Sequence, residues 1–379
     1  MLNSLAELSF QFWTKYKQDI PNLSQFSQHV PAQEIMERIE DLVIRAVTQV
    51  FTAQSPSFNF LQNSKNTEYD PATGVNRLSQ SNFQTITVGN AKSTKRYARL
   101  MKVLEIIYIN LQDGTKSTKR EIYYQDPKLF GKQNNSDSAI EQAASLLQVP
   151  RNRLNIISAG KGLIAGNVSY CDSEVQVQVG NRVCKIPPDM DVVSNIETDA
   201  EFIIIIEKDT VLSRLVDEHF FDSYNAIGLT GCGYPDLVTR EFARRIIEER
   251  GWIPVFILTD FDPHGFQILC TYTFGSFKLS GECDSLALPF SHWLGIHFGD
   301  CQGNPLPLTN GDIKLIEKLV DRSQFKQLPN SYQNRRFLQW KDSLIQMRDS
   351  NEKFEIESVL IEGNISDYIG RKIEKGAWI

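Results

Sequence analysis

The sequence predicts an α/β protein made of an N-terminal helical arm, a winged-helix unit and a doubly wound, mostly parallel sheet. Three observations predict it. From about residue 197, apolar runs of strand length alternate with helical stretches: EFIIIIEK, TVLSRLVDEHFF, NAIGLTGCGYPD, LVTREFARRIIEER, IPVFILTDFD and GFQILCTYTF. Between about 96 and 185, two short helices with capping signatures precede LNIISAGKGLIAGNVSY, whose glycines and β-branched residues suit a helix-turn-helix with a wing. Near the start, AQEIMERIEDLVIRAVTQVF (32–51) sets Ile35, Ile39, Leu42, Val43, Val47 and Phe51 at helical spacing. A chain of 379 residues has room for two or three domains.

The elements follow in order. Residues 1–85 read as the arm and a polar linker. MLNSLAELSFQFW lacks a basic stretch followed by a long apolar core, so no secretory leader is expected. The stripe over 32–51 predicts one amphipathic helix against the body. TAQSPSFNFLQNSKNTEYDPATG (52–74) is polar, with Pro, Ser, Asn and Gly, and reads as linker or mobile loop. Residues 86–190 form the expected winged-helix, DNA-binding domain. It opens with the apolar-rich helix YARLMKVLEIIYINLQ. Thr118 with Glu121 forms a capping box for a helix through REIYYQDPKLF, bent or ended near Pro127, and Ser138 with Glu141 is expected to open IEQAASLLQ. Residues 191–379 hold the sheet and a C-terminal extension. KSTKR occurs at 92–96 and at 116–120, with no further similarity around it, so no repeat is read.

Composition narrows the function class. Apolar residues make up 41% and charged residues 23%, an ordinary globular balance. The longest strongly apolar run, FIIII, is far too short to span a bilayer, and no membrane partner is expected. Six cysteines (171, 184, 232, 270, 283 and 301) lack CxxC spacing, which argues against a disulfide scaffold or a zinc site and for a reducing compartment. Net charge is −6, but residues 84–165 carry 13 Lys and Arg against six Asp and Glu. That is +7 there and −13 over the rest. Such a block can be a DNA footprint or a solvated face. Lys119 and Lys132 lie within it and are candidate phosphate contacts.

The chemistry centres on LTDFDPHG, 258–265. Asp262 before Pro263 reads as a helix N-cap with proline in the first turn. Asp260 and Asp262, at i and i+2, leave the strand on one side and can converge on one ion. Glu207 follows four isoleucines at another strand exit. Ligands of such sheets gather at the carboxyl ends of the strands, where Glu207, the Gly231/Gly233 loop and both aspartates are expected. Three carboxylates without a Cys/His set favour Mg²⁺ or Mn²⁺ over zinc, and a phosphate-bearing substrate suits them. REIYYQD offers a nucleophile. Tyr123 and Tyr124 point about 100° apart on a helix, and Arg120 shares the face of Tyr124. A free tyrosine is only about 0.1% phenolate at neutral pH, a deficit of roughly 4 kcal/mol that a guanidinium and a metal can reduce. Spacing alone leaves both tyrosines equally readable as core and boundary residues.

The order of TKREIYY, IIIIEKDTVLSRL, TGCGYPDLVTR and LTDFDPHGFQILCTYTFGS resembles the topoisomerase VI A-subunit family, over about 95–379. DPHG, FGS, WLGI and the KIEKGAWI ending resemble its eukaryotic meiotic DNA double-strand-break branch. The resemblance implies a Toprim-type sheet domain, Tyr124 as nucleophile with Arg120 as helper, and Mg²⁺ (or Mn²⁺) on Glu207, Asp260 and Asp262. It also implies that Lys161, in AGKGLIAG, lies near DNA. Cys232 replaces the lysine often found between the loop glycines, which puts a phosphate contact from that loop in doubt. The implied reaction is attack of Tyr124 on a phosphodiester of double-stranded DNA, leaving a 5′-phosphotyrosyl link. Cleavage itself needs no ATP, and no G-x-x-x-x-G-K-[ST] motif is present, although the family's enzyme class is ATP-hydrolysing type II topoisomerase. The implied partners are a second copy or paralogue sharing composite sites, a topoisomerase VI B-like protein and meiotic accessory proteins, in the nucleus. The competing readings are a topoisomerase VI A-type protein relaxing DNA with an ATPase partner, a DNA-binding scaffold with an idle site, and a phosphatase using Asp260.

Overall fold

The computed structural model describes residues 30–61, 67–71, 73–78, 83–157, 160–251, 253–277, 283–301, 303, 305–326, 332–362 and 364–379. The stretch read for a leader lies outside them. Helix α1, Ala32–Phe51, matches the expected span, but only Ile35, Ile39 and Ala46 are buried. Val43, Val47 and Phe51, expected on the packed stripe, are exposed. The apolar period persists further along the helix than the body beneath it.

The 52–74 stretch is not a plain linker. β1 (Ser57–Leu61) and β2 (Thr67–Asp70) form within it, and β3 (Val75–Leu78) and β4 (Phe83–Thr87) follow. β1 pairs antiparallel with β4, and β2 with β3. Phe58 and Phe60 alternate inward on β1 and explain the strand in an otherwise polar segment. α2 (Ala91–Asp113) is capped by Asn90 and ends at Gly114 in the left-handed region. β5 (Ser117–Thr118) leads into α3 (Lys119–Gln125), with both halves of the Thr118/Glu121 capping box present. α4 (Pro127–Phe130) restarts the chain after the expected break, with Asp126 as its cap. α5 (Gln133–Leu147) starts five residues before Ser138, whose hydroxyl donates to the Asn134 carbonyl inside the helix. The expected cap there is therefore wrong, because Ser-x-x-Glu also fits a helix interior. β6 (Ile156–Ile157) pairs with β5. Leu100, Val103, Ile107, Ile122, Phe130, Ile140 and Leu147 form this unit's core with Ile35 and Ile39.

β7 (Leu163–Asp172), which holds most of the stretch expected as the wing, and β8 (Val175–Lys185), expected within the winged-helix domain, belong instead to a seven-stranded sheet. β9 (Val193–Glu197) pairs with β7. β10 (Phe202–Ile206), α6 (Asp209–Asp217), α7 (Phe220–Ser223), β11 (Ala226–Thr230), α8 (Leu237–Arg250), β12 (Val255–Leu258), α9 (Pro263–Phe274), α10 (Cys283–Leu286) and β13 (His292–Gly295) follow. The order is β13-β12-β10-β11-β7-β8. β10, β11, β12 and β13 run parallel, whereas β7 is antiparallel to β11, β8 and β9. The expected mostly parallel sheet is thus mixed, since two strands joined by a turn as short as that between β7 and β8 can pair only antiparallel with each other. The sheet begins well before residue 191. β14 (Leu306–Pro307), α11 (Asn310–Val320), α12 (Tyr332–Ser350), β15 (Glu352–Lys353) and α13 (Ile365–Glu374) complete the extension. Ile379 exchanges backbone hydrogen bonds with Trp293 on the outer strand, which places the KIEKGAWI ending against the sheet edge.

Candidate active site

β10 lies between β11 and β12, so the chain leaves β10 to one side and then to the other. Ligands of open α/β sheets gather at the carboxyl ends where the direction reverses in this way. Glu207 is fastened there on both sides. Its N–H donates to the Leu258 carbonyl at 3.0 Å, and its own carbonyl accepts from Gly233 N–H at 2.8 Å. The Thr230 hydroxyl also donates to that carbonyl. Its side chain crosses to the neighbouring strand end, where Oε2 accepts from Asp260 N–H at 3.0 Å. Asp262 is the N-cap of α9, accepting from Gly265 N–H at 2.6 Å, with Pro263 in the first turn, as the sequence predicts.

The electrostatics show carboxylates crowded together. Burial first, and then the charges of Asp260 and Asp262, push Glu207 up to about 8. Burial also pushes Asp260 up to about 6, against the pull of Lys208 and of a hydrogen bond from Ile356 N–H. Removing carboxylates from water beside one another disfavours their charged forms, which a divalent ion would reverse. Close approach is built in at Gly265. A Cβ there would lie 2.4 Å from the Asp260 carbonyl oxygen and 3.2 Å from Glu207 Oε2. Among the described residues no group of three or more His, Cys, Asp or Glu side chains is placed to hold a metal ion. The fit is in the donor chemistry: hard oxygens, crowded charge and a helix start pressed against them.

Several residues around the site were missed in the sequence. Lys208 has no assigned role there, yet its ammonium stands 3.2 Å from Asp260 Oδ2, 2.7 Å from Glu357 Oε2 and 3.6 Å from Glu355 Oε2. Burial works to lower its pKa, but the hydrogen bonds and charges of Glu357 and Asp260 outweigh it and raise the pKa. Ile356 N–H donates to Asp260 Oδ1 at 2.8 Å, and Phe354 exchanges backbone hydrogen bonds with Phe261. Acids flanking Ile356 in FEIES were the only sequence signal, and a weak one.

Lys161 reaches the glycine loop from the start of β7. Its Nζ donates to the Cys232 carbonyl at 3.0 Å, and its N–H donates to Asp236 Oδ2. Cys232 takes positive φ (49°), and its thiol points back to the Lys161 carbonyl. An ammonium therefore stands at the loop after all, supplied by another segment.

The tyrosines lie on the helical unit. Tyr123 packs against the core that holds Ile122, whereas Tyr124 is 67% exposed, with their rings edge to face at 5.3 Å. Arg120 is exposed one turn before Tyr124. Lys119 is half-buried at the first position of α3, and Lys132 is exposed at the N-cap of α5. Other cations of the basic block are committed elsewhere. Lys116 bridges Asp189 and Asp191 at 2.5 and 2.6 Å, and Arg153 reaches Asp191, tying the helical unit to the sheet. No described helix is long and apolar enough to cross a membrane. α3 rests on β5, α4 and α5 within its own unit.

Comparison with known proteins agrees with this arrangement. The Toprim-domain model of the topoisomerase 6 A-subunit/Spo11 proteins matches residues 202–373, and the model described as Type IIB DNA topoisomerase matches 95–156. The meiotic recombination protein SPO11 of Mus musculus is 33% identical over 365 residues, covering 92% of this chain and 89% of its own. That of Homo sapiens is 31% identical over 370 residues, covering 93% and 90%. The DNA topoisomerase 6 A-subunit of Arabidopsis thaliana is 27% identical over 359 residues, covering 91% and 81%. With full-length likeness of this kind, and with the Toprim match lying on the carboxylate-bearing half of the sheet, the chain belongs to the topoisomerase VI A-subunit/Spo11 family.

Proposed function

We propose that this chain makes double-strand breaks in DNA by tyrosine transesterification, as the initiating step of meiotic recombination in the nucleus. The observation that carries it is the division of labour in the tyrosine pair. Tyr123 is used by the core, and Tyr124 presents its phenol to solvent on a capped helix with Arg120 one turn away. Tyr124 Oη attacks phosphorus, its proton leaves, and the 3′ oxygen departs and is protonated, so one diester replaces another. Arg120 stabilises the phenolate and the charge developing on the phosphoryl oxygens. Glu207, Asp260 and Asp262 would hold Mg²⁺, or Mn²⁺ in its place. When bound, such an ion supplies a Lewis acid and charge neutralisation for the phosphate. Lys119 and Lys132 contact backbone phosphates from a winged-helix unit centred on α2 to α5, and Lys161, at the start of β7, does so from the glycine loop, where it fills the place that Cys232 leaves.

Two strand breaks need two tyrosines, so the active form is a dimer of this chain or of it and a paralogue, each site drawing its tyrosine and its carboxylates from different protomers. A topoisomerase VI B-like protein and meiotic accessory proteins complete the assembly. The likeness to a topoisomerase 6 A-subunit supports a second reading, in which the break is resealed. Relaxation of supercoiled DNA with a B-type ATPase partner distinguishes the two. The deciding experiment is recovery of protein bound covalently to DNA 5′ ends. Tyr124→Phe should abolish the adduct and leave DNA binding nearly intact, and Tyr123→Phe should retain at least partial activity. The reverse pattern would defeat the assignment.

A further inference from the structure

We propose that Lys208 is an internal counter-cation of the carboxylate site, holding Asp260 as seen here and yielding it to a divalent ion by moving onto Glu355 and Glu357. The inference rests on the reading of Glu207, Asp260 and Asp262 as metal ligands.

Asp260 is 7% exposed and both of its oxygens are engaged. Oδ1 accepts from Ile356 N–H, a backbone donor in a segment fixed by the reciprocal Phe261–Phe354 hydrogen bonds of 2.9 and 3.0 Å. That partner cannot leave without opening the chain around it. Oδ2 faces Lys208 Nζ at 3.2 Å, the end of a flexible side chain. Oδ2 is therefore the oxygen a cation can gain, and Lys208 is the group that must give way. Somewhere to go is already in place. Glu357 Oε2 is 2.7 Å from the same ammonium and Glu355 Oε2 is 3.6 Å from it. Their side chains are 47% and 59% exposed, against 11% for Asp260. The ammonium can thus slide outward along carboxylates that water also reaches, without a backbone change. An ordinary ion pair makes a different prediction. Its loss would loosen the site and weaken metal binding, whereas loss of a competitor tightens it.

The test measures Mn²⁺ binding by calorimetry on the EDTA-stripped full chain at fixed ionic strength. Lys208→Met keeps the apolar stem and removes the charge. It should bind Mn²⁺ roughly tenfold more tightly, the effect expected of one neighbouring like charge worth about one pKa unit. Lys208→Arg should stay near the native affinity. Glu357→Gln removes the place of retreat and should weaken Mn²⁺ binding roughly threefold or more, a second reading that stands even where Lys208→Met does not fold. Native-like or weaker binding by folded Lys208→Met, or unchanged binding by Glu357→Gln, overturns the inference and leaves the metal site standing. If the native protein shows no saturable Mn²⁺ binding that Asp262→Asn reduces, the metal site itself falls, and the role of Lys208 with it.

Discussion

Replacing Gly265 with alanine separates the geometry of the site from the stability of the fold. Gly265 is in the first turn of α9, directly over the β12 exit. An added Cβ would lie 2.4 Å from the Asp260 carbonyl oxygen, 3.1 Å from Thr259 Cβ and 3.2 Å from Glu207 Oε2. The nearest of these is backbone, so relief requires α9 to move off the strand end by something approaching 1 Å. Overpacking of this kind costs about 1–3 kcal/mol. Up to about 1 kcal/mol returns through alanine's better helix propensity. A similar amount is at risk in the Asp262 cap, because Gly265 N–H is its donor. The net loss is about 1–3 kcal/mol. At about 2.1 cal/mol/K per residue, unfolding a chain of 379 residues changes entropy by roughly 0.8 kcal/mol/K, so Tm falls by only about 1–4 °C. Catalysis is more sensitive, since a displacement near 1 Å can cost on the order of 100-fold. The assay is covalent capture of DNA alongside a thermal melt, with Gly311→Ala as control. Gly311 also lies in a first helical turn, but its added Cβ meets only Thr309 Oγ1, at an ordinary 3.5 Å. Gly265→Ala should lose about two orders of magnitude in capture with a small fall in Tm, and Gly311→Ala should match native. Native activity in Gly265→Ala would refute the claim that the glycine is there for close approach to the carboxylates.

Two further outcomes are expected. If the sites are composite as proposed, a mixed dimer, purified with two tags, of Tyr124→Phe with the double mutant Asp260→Asn/Asp262→Asn should keep one site intact, nick one strand and make no double-strand breaks; absence of nicking, with matched native dimers active, would show that each site is built within one protomer. His292 is fully buried, and burial, followed by the field of Arg336, holds its pKa well below 6.5. It stays neutral when folded and gains a proton below about 6.5 when unfolded, so its stabilising share is complete above that pH and is lost as pH falls, with a slope approaching 1.4 kcal/mol per unit. Chemical denaturation at pH 7.0 and 5.5 should show a smaller loss for His292→Gln than for native protein, and equal losses would remove His292 as a cause.

Local rules account for what was legible in the sequence. α1, the Thr118/Glu121 cap, the break at Pro127, the Asp262 cap and the alternation from Phe202 to Phe274 each depend on residues within a turn or two, and each appears where its signals place it. The two tyrosines could be separated in direction but not in exposure, because exposure depends on what packs over each face.

Tertiary structure decided the rest, since it depends on contacts between residues far apart in the chain. Leu163–Asp172 has the composition of a wing and became a sheet strand because Ala226–Thr230 offers it a partner edge. Ser138 lost its expected cap because α5 had already begun at Gln133, and the exposed half of α1 shows that an apolar period does not guarantee a surface to cover it. Lys161 stands at the Cys232 loop, 71 residues away in sequence, and Lys208 meets Glu357 across 149. By itself, then, the sequence determined which strand ends carry the carboxylates, because a strand's direction and its period of two are local. Only the fold determined which amines and backbone donors answer those carboxylates. Burial makes such partners necessary, and burial is a property of the assembled chain.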